Sequence, residues 1–91
     1  MDSVRKEILT TAIRKYGRGP QRDKAIEELS ELIRALARCD DRENIAEEMA
    51  DVMIMLDQLE IIFDNREAVR IWYLRKLRRL GQTVGVGDEV R

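Results

Sequence analysis

Two twelve-residue stretches of this chain repeat one arrangement of carboxylates. Ala25 to Leu36 reads AIEELSELIRAL and Ile45 to Leu56 reads IAEEMADVMIML, so Glu27, Glu28 and Glu31 correspond to Glu47, Glu48 and Asp51. On a helix, residues three apart share a face, which pairs Glu28 with Glu31 and Glu48 with Asp51. Two such helices packed side by side would gather four carboxylates. Their mutual repulsion is costly unless a multivalent cation sits among them. An all-oxygen set selects a hard ion, Mg²⁺ or Mn²⁺, and magnesium prefers to share its shell with phosphate oxygens. The chemistry that suits such a group is phosphoryl or nucleotidyl transfer to water, which needs positioning and charge stabilisation more than covalent help.

Paired glutamates on a helix are ordinarily a solvated face, and either copy alone says little. Three details favour a site. The copies keep one register across a short loop, so their helices are antiparallel neighbours. Glu28 and Glu48 each precede a core-type residue, Leu29 and Met49, which places them at a helix–helix seam. Few cations share the face: Lys24 lies one turn before Glu28, and no Lys or Arg occurs between Glu43 and Asp64.

The elements that must position these acids follow from apolar periodicity and its punctuation. A first helix is expected over Ser3 to Tyr16, with Val4, Ile8, Ala12 and Ile13 on its inner stripe and Gly17 as its stop. Gly17-Arg18-Gly19-Pro20 reads as a turn, with Pro20 at the first position of a second helix running to Cys39. Ala25, Leu29, Leu32, Ile33 and Leu36 are its expected core face. Asp40 and Glu43 resemble a capping box for a third helix reaching about Asp64. From Val52 to Phe63 that helix is apolar nearly all round, which demands cover on every side. A chain of 91 residues has little to spare for this, so the expectation is a subunit interface, the alternative being a centrally buried helix in a monomeric bundle. A fourth, basic helix is expected from Glu67 to Leu80, stopped by Gly81. The expected organisation is therefore one all-α, four-helix domain over residues 1–81, assembling into an oligomeric bundle, with a flexible tail over 82–91. Gly85-Val86-Gly87 in that tail is too short and too poorly placed for a phosphate loop.

Composition narrows the function classes. There is no histidine, which excludes Ser-His-Asp, Cys-His and His-ligated zinc chemistry within one chain. The single cysteine, Cys39, permits no intramolecular disulfide and suits a reducing cytoplasm. A net charge of −1 gives no general pull toward nucleic acid or an anionic membrane. The N-terminus is charged and has no apolar signal segment, and the apolar run in the third helix is too short for a bilayer span.

The two-part acid motif, Glu27-Glu28-x-x-Glu31 followed by Glu48-x-x-Asp51, resembles the EExxE…ExxD signature of the all-α nucleoside triphosphate pyrophosphohydrolases, the MazG-like group. AIEELSELIRAL, NIAEEMADVMIMLDQLEIIF and a last helix with Trp72 and Lys76-Leu77-x-Arg79-Leu80 are similar to its short single-domain bacterial and phage members. The likeness covers roughly Tyr16 to Gly81. It implies a Mg²⁺-dependent enzyme that cleaves a nucleoside triphosphate between the α- and β-phosphates, working as a dimer or tetramer. It further implies Glu28, Glu31, Glu48 and Asp51 as metal ligands, Glu27 as an acid that orients or deprotonates water, and Lys76 and Arg79 as phosphate contacts. One departure is Leu74, where relatives often carry asparagine two residues before the lysine.

Other readings stay open. Lys76 and Arg79 also fit the wet face of an amphipathic helix. Lys15 and Gln21 flank the turn into the second helix and are candidates to touch nucleotide, or plain surface residues. Trp72 could stack on a base or belong to a core stripe. A phosphoribosyl-ATP pyrophosphohydrolase would share the acids, although Ile26 stands where that group usually has glycine. A non-catalytic helical oligomerisation or nucleotide-binding module is the alternative of another class.

Overall fold

A computed structural model of the chain describes residues 2–86, which form four α-helices and no strand among the described residues. Helix α1 (Ser3–Tyr16) starts where the Asp2 carboxylate accepts the Arg5 backbone N–H at 2.9 Å, satisfying one of the free donors of a first turn. Its buried residues are Leu9 and Ile13, while Val4 and Ile8 stay exposed. Of the expected stripe, Ile13 is buried and Ala12 half-buried, and Val4 and Ile8 are not. Leu9 and Ile13 lie one turn apart on the side that meets α2 and α3, and Val4 and Ile8 fall on the adjoining, uncovered side.

No separate turn divides α1 from α2 (Arg18–Ala37). Gly17 ends the first helix, its N–H donating to the Ile13 carbonyl, and also caps the second, its carbonyl accepting from Gln21 N–H at 3.1 Å. It does so at φ +98, a conformation that L side chains rarely adopt, and an added Cβ would press on Pro20 Cδ at 3.3 Å. Pro20 is thus the third residue of α2, not the first. The first-turn N–H groups have no partner inside the helix, so proline is tolerated there as well.

Helices α2 and α3 (Arg42–Ile62) form the main interface of the chain. On α2 the seam runs through Gln21, Ala25, Glu28, Leu32 and Ala35, all buried or half-buried. Leu29, Ile33 and Leu36, expected in the core, point outward, as does Ile26. Small Ala25 and fully covered Ala35 let the helices approach closely, which turns the bulkier stripe to the outside. On α3 the inner side is Val52, Met55, Gln58 and Ile62, and Met49, Met53, Leu56 and Phe63 are exposed. A monomeric bundle wrapped around α3 is therefore not what this chain forms: one side of the helix is covered and the other is open.

The cap of α3 is Asp41, whose carboxylate accepts Asn44 N–H at 2.8 Å. Asp40 is displaced by one residue from the capping role and binds the Arg38 guanidinium and the Asn44 amide instead. Three helices end in the same way, by Schellman pairs in which the residue just past the cap takes positive φ. After α2, Cys39 (φ 56) donates to Leu36 O and Asp40 to Ala35 O. After α3, Asp64 (φ 48) donates to Ile61 O and Asn65 to Glu60 O, so α3 stops at Ile62, short of Asp64. After α4 (Arg66–Thr83), Gly85 (φ 87) donates to Gln82 O and Val86 to Gly81 O. Gly81 is therefore inside α4 and Gly85 is its stop, because the left-handed position lies one residue beyond the cap. Part of the expected tail, Gln82 and Thr83, is helical, and its residues 87–91 lie outside the described residues.

Helix α4 packs against α3 alone and buries no residue. No helix among the described residues is long and apolar enough to cross a membrane.

Candidate metal centre

The antiparallel seam sets which acids meet. Gln21 Nε2 donates to Gln58 Oε1 at 2.7 Å across the interface, and both amides are buried. Seven residues further along α2 stands Glu28, and seven residues back along α3 stands Asp51. Two helical turns from the glutamine pair, the same seam thus brings an acid from each helix together. Glu48, one turn before Asp51, joins them. Glu28, Glu48 and Asp51 each present a carboxylate oxygen, and the three oxygens lie within 4.8 Å of one another.

The surroundings of the three differ. Glu28 is neutralised in part by Lys24, whose ammonium is 3.2 Å away and also 3.7 Å from Glu27. That hydrogen bond to Glu28, followed by the charge of Glu27, raises the lysine pKa above its ordinary value. Among the described residues no ion pair engages Glu48 or Asp51, and Glu48 Oε2 is buried with no hydrogen-bond partner. Burial raises the Glu48 pKa first, and the charges of Asp51, Glu31, Glu28 and Glu47 raise it further. A buried, unpaired carboxylate oxygen on one of three converging acids is what a hard divalent cation would satisfy. The three acids offer an all-oxygen donor set of the kind Mg²⁺ takes.

Glu31 belongs to the electrostatic group but is not among the three converging acids. Its carboxylate is paired with Arg34 at 3.3 Å on its own helix. Glu27 is exposed and turned toward Lys24. Gln21 is spent on the seam with Gln58, and Lys15 is exposed with its ammonium 5.5 Å from the Tyr16 ring centroid. Lys76 and Arg79 are exposed on α4, and no ion pair joins either to an acid among the described residues. Trp72, exposed on α4, sits under the Arg75 guanidinium (5.3 Å) and the Lys76 ammonium (5.9 Å), so it is neither core nor part of the acid group.

Arg38 went unnoticed in the sequence. Its guanidinium is held by Asp40 at 2.9 Å, and the charges of Glu31 and Glu48 add to the rise of its pKa. It is a cation at the α2–α3 turn within the field of the acids. The only signal for it was its place at the C-terminus of α2, where a basic side chain also suits the helix dipole.

A hollow lined by Lys6, Glu60, Ile61, Asp64 and Arg66 lies near the C-terminal end of α3, away from these acids. It mixes both signs of charge and converges on nothing, so the site is assigned to the acid group and not to this concavity. Comparison of the chain with models of known protein families, with curated proteins and with solved structures finds no match.

Proposed function

We propose that this chain is a Mg²⁺-dependent nucleoside triphosphate pyrophosphohydrolase, with Mn²⁺ accepted by the same ligands. One observation carries the reading: Glu28, Glu48 and Asp51 converge, and Glu48 among them keeps a buried Oε2 without a partner. These three would hold the ion, with Glu31 adding negative charge from the next turn of α2. When bound, the ion supplies charge neutralisation for a polyphosphate and acidification of a water. The protein's own part is preorganisation. Glu28 and Asp51 are held opposite each other by the seam, and Glu48 is kept partly out of water, where its charge acts at a lower dielectric. Glu27, exposed and next to Glu28 in the chain, is the candidate to orient or deprotonate water. Arg38, beside the acids, and Lys76 and Arg79 on α4 are the candidate contacts for phosphate oxygens. The resemblance of the acid motif to the MazG-like group supports cleavage between the α- and β-phosphates.

The exposed apolar sides of α2, α3 and α4 favour a second reading, a helical oligomerisation module without turnover. A panel of ribo- and deoxynucleoside triphosphates with Mg²⁺ separates the two. Pyrophosphate with the matching monophosphate is the expected product, and Glu48→Gln should abolish its release while helicity is kept. Activity confined to phosphoribosyl-ATP would move the assignment to that substrate. No pyrophosphate from any substrate in the panel would leave the module reading.

A further inference from the structure

Asp40 has no part in capping α3, because Asp41 accepts the Asn44 N–H, yet its side chain is only 22% exposed and is engaged twice. Its Oδ2 accepts Arg38 Nη2 at 2.9 Å and Asn44 Nδ2 at 2.7 Å. The backbone fixes this carboxylate in turn: Asp40 N–H donates to the Ala35 carbonyl at 3.0 Å, just past Cys39 at φ 56. A carboxylate so placed, and braced by Asn44, is a firm anchor for a long guanidinium side chain.

The anchored arginine stands beside the acids. Arg38 lies seven residues, two helical turns, after Glu31, and Asn44 lies one turn before Glu48 on α3. The Arg38–Asp40–Asn44 group therefore borders the converging acids at the turn end of the same seam. After the hydrogen bond and charge of Asp40, the charges of Glu31 and Glu48 also raise the Arg38 pKa. The guanidinium is thus attracted by the acids but does not reach them, since among the described residues no cation pairs with Glu48 or Asp51. Lys24 is engaged with Glu27 and Glu28, and Arg34 with Glu31. Of these three cations, only Arg38 is held by an acid outside the repeated motif.

An arginine swung onto Glu48 and Asp51 would do by itself what a divalent ion does. It would neutralise the acids, occupy their oxygens with its fork of N–H groups and repel a further positive charge. We propose that Asp40 is a positioning residue of the acid site: it holds the Arg38 guanidinium off Glu48 and Asp51, which keeps their oxygens open to a divalent cation. This rests on the metal reading given above.

Calorimetric titration with Mg²⁺ alone compares the wild type, Asp40→Ala, Arg38→Ala and the variant carrying both changes. Removing Asp40 should weaken Mg²⁺ binding about tenfold, the scale of coupling between charged groups brought into contact. Removing Arg38 while Asp40 is present should change it about twofold or less, because its charge is already spent on Asp40. Removing Arg38 from Asp40→Ala should return binding to the level of Arg38→Ala. A plain field of charge gives Arg38→Ala the same effect in both backgrounds, and that result overturns the proposal. So does unchanged affinity in Asp40→Ala. A purely structural role for Asp40 is not rescued by removing Arg38, so a double variant as weak as Asp40→Ala overturns it too.

Side-chain NMR of arginine-labelled protein in EDTA reads the same swing without metal. Arg38 should contact Asp40 and Asn44 in the wild type, and Glu48 or Asp51 in Asp40→Ala. A guanidinium that stays clear of these acids in the variant refutes the clamp. If the wild type takes up no Mg²⁺, the metal reading fails, and the metal-free spectra still decide whether Asp40 holds Arg38 away. Should Asp40→Ala lose its helical circular dichroism, Asp40→Asn, which keeps the shape and gives up the charge, takes its place in both measurements.

Discussion

The Gln21–Gln58 pair offers a sharp test of what holds α2 and α3 in register. The two side chains are 9% and 4% exposed and share one 2.7 Å hydrogen bond. In Gln58→Leu the partner amide of Gln21 stays buried with nothing to bind, a penalty of about 1–3 kcal/mol for the orphaned group. Leucine has nearly the volume of glutamine, so the cavity term is small. The expected loss is about 2 kcal/mol, which in a domain of this size lowers Tm by about 8–16 °C. Gln21→Leu should behave alike. The combination of both should lie close to wild type, because replacing both partners with apolar groups of similar shape removes the orphan. Urea unfolding followed by circular dichroism reads all four proteins, at one protein concentration because association adds to apparent stability. Additive losses in the double variant, or single losses under about 0.5 kcal/mol, would show that the pair does not fix the seam. In that case the placement of Glu28 opposite Asp51 would have to come from the apolar contacts alone.

Four further outcomes are expected. The raised pKa of Glu48 means that, between the ordinary carboxylate value and the raised folded value, the folded chain holds a proton that the unfolded chain has lost. Stability should therefore fall as pH rises through that window, and Glu48→Gln should flatten the dependence and leave the divalent-free protein more stable at neutral pH. Mg²⁺ should stabilise the wild type and not this variant; equal shifts in both would remove Glu48 from the ligand set. Cys39 holds φ 56 as a non-glycine residue, so Cys39→Gly should gain about 0.5–1 kcal/mol in denaturant midpoint analysis, and a loss there would contradict the left-handed cap. Asp41→Ala removes the acceptor for Asn44 N–H and should cost about 1 kcal/mol, a larger effect than Asp40→Ala if Asp41 is the true cap.

Much of this protein was legible in local residue chemistry. Hydrophobic period, Gly17 and the acid-then-apolar start of α3 were enough to place four helices, because helix starts and stops depend on groups within a few residues. The repeated carboxylates announced the site for the same reason: spacing of three or four puts side chains on one face whatever surrounds the helix. Which face turned inward was not local. Leu29, Ile33 and Leu36 form as good an apolar stripe as Ala25, Leu32 and Ala35, and only close packing against α3 decided for the alanines. That rotation carried Glu28, and not Glu31, into contact with Glu48 and Asp51, left Arg34 free to pair with Glu31, and buried Gln21 on Gln58. The desolvation of Glu48 belongs to the same level, since a raised pKa is a property of surroundings. Residue type and spacing determined that acids would share a helix face; the tertiary structure decided which of them meet, because burial and interhelical register are set by the partner surface and not by the helix itself.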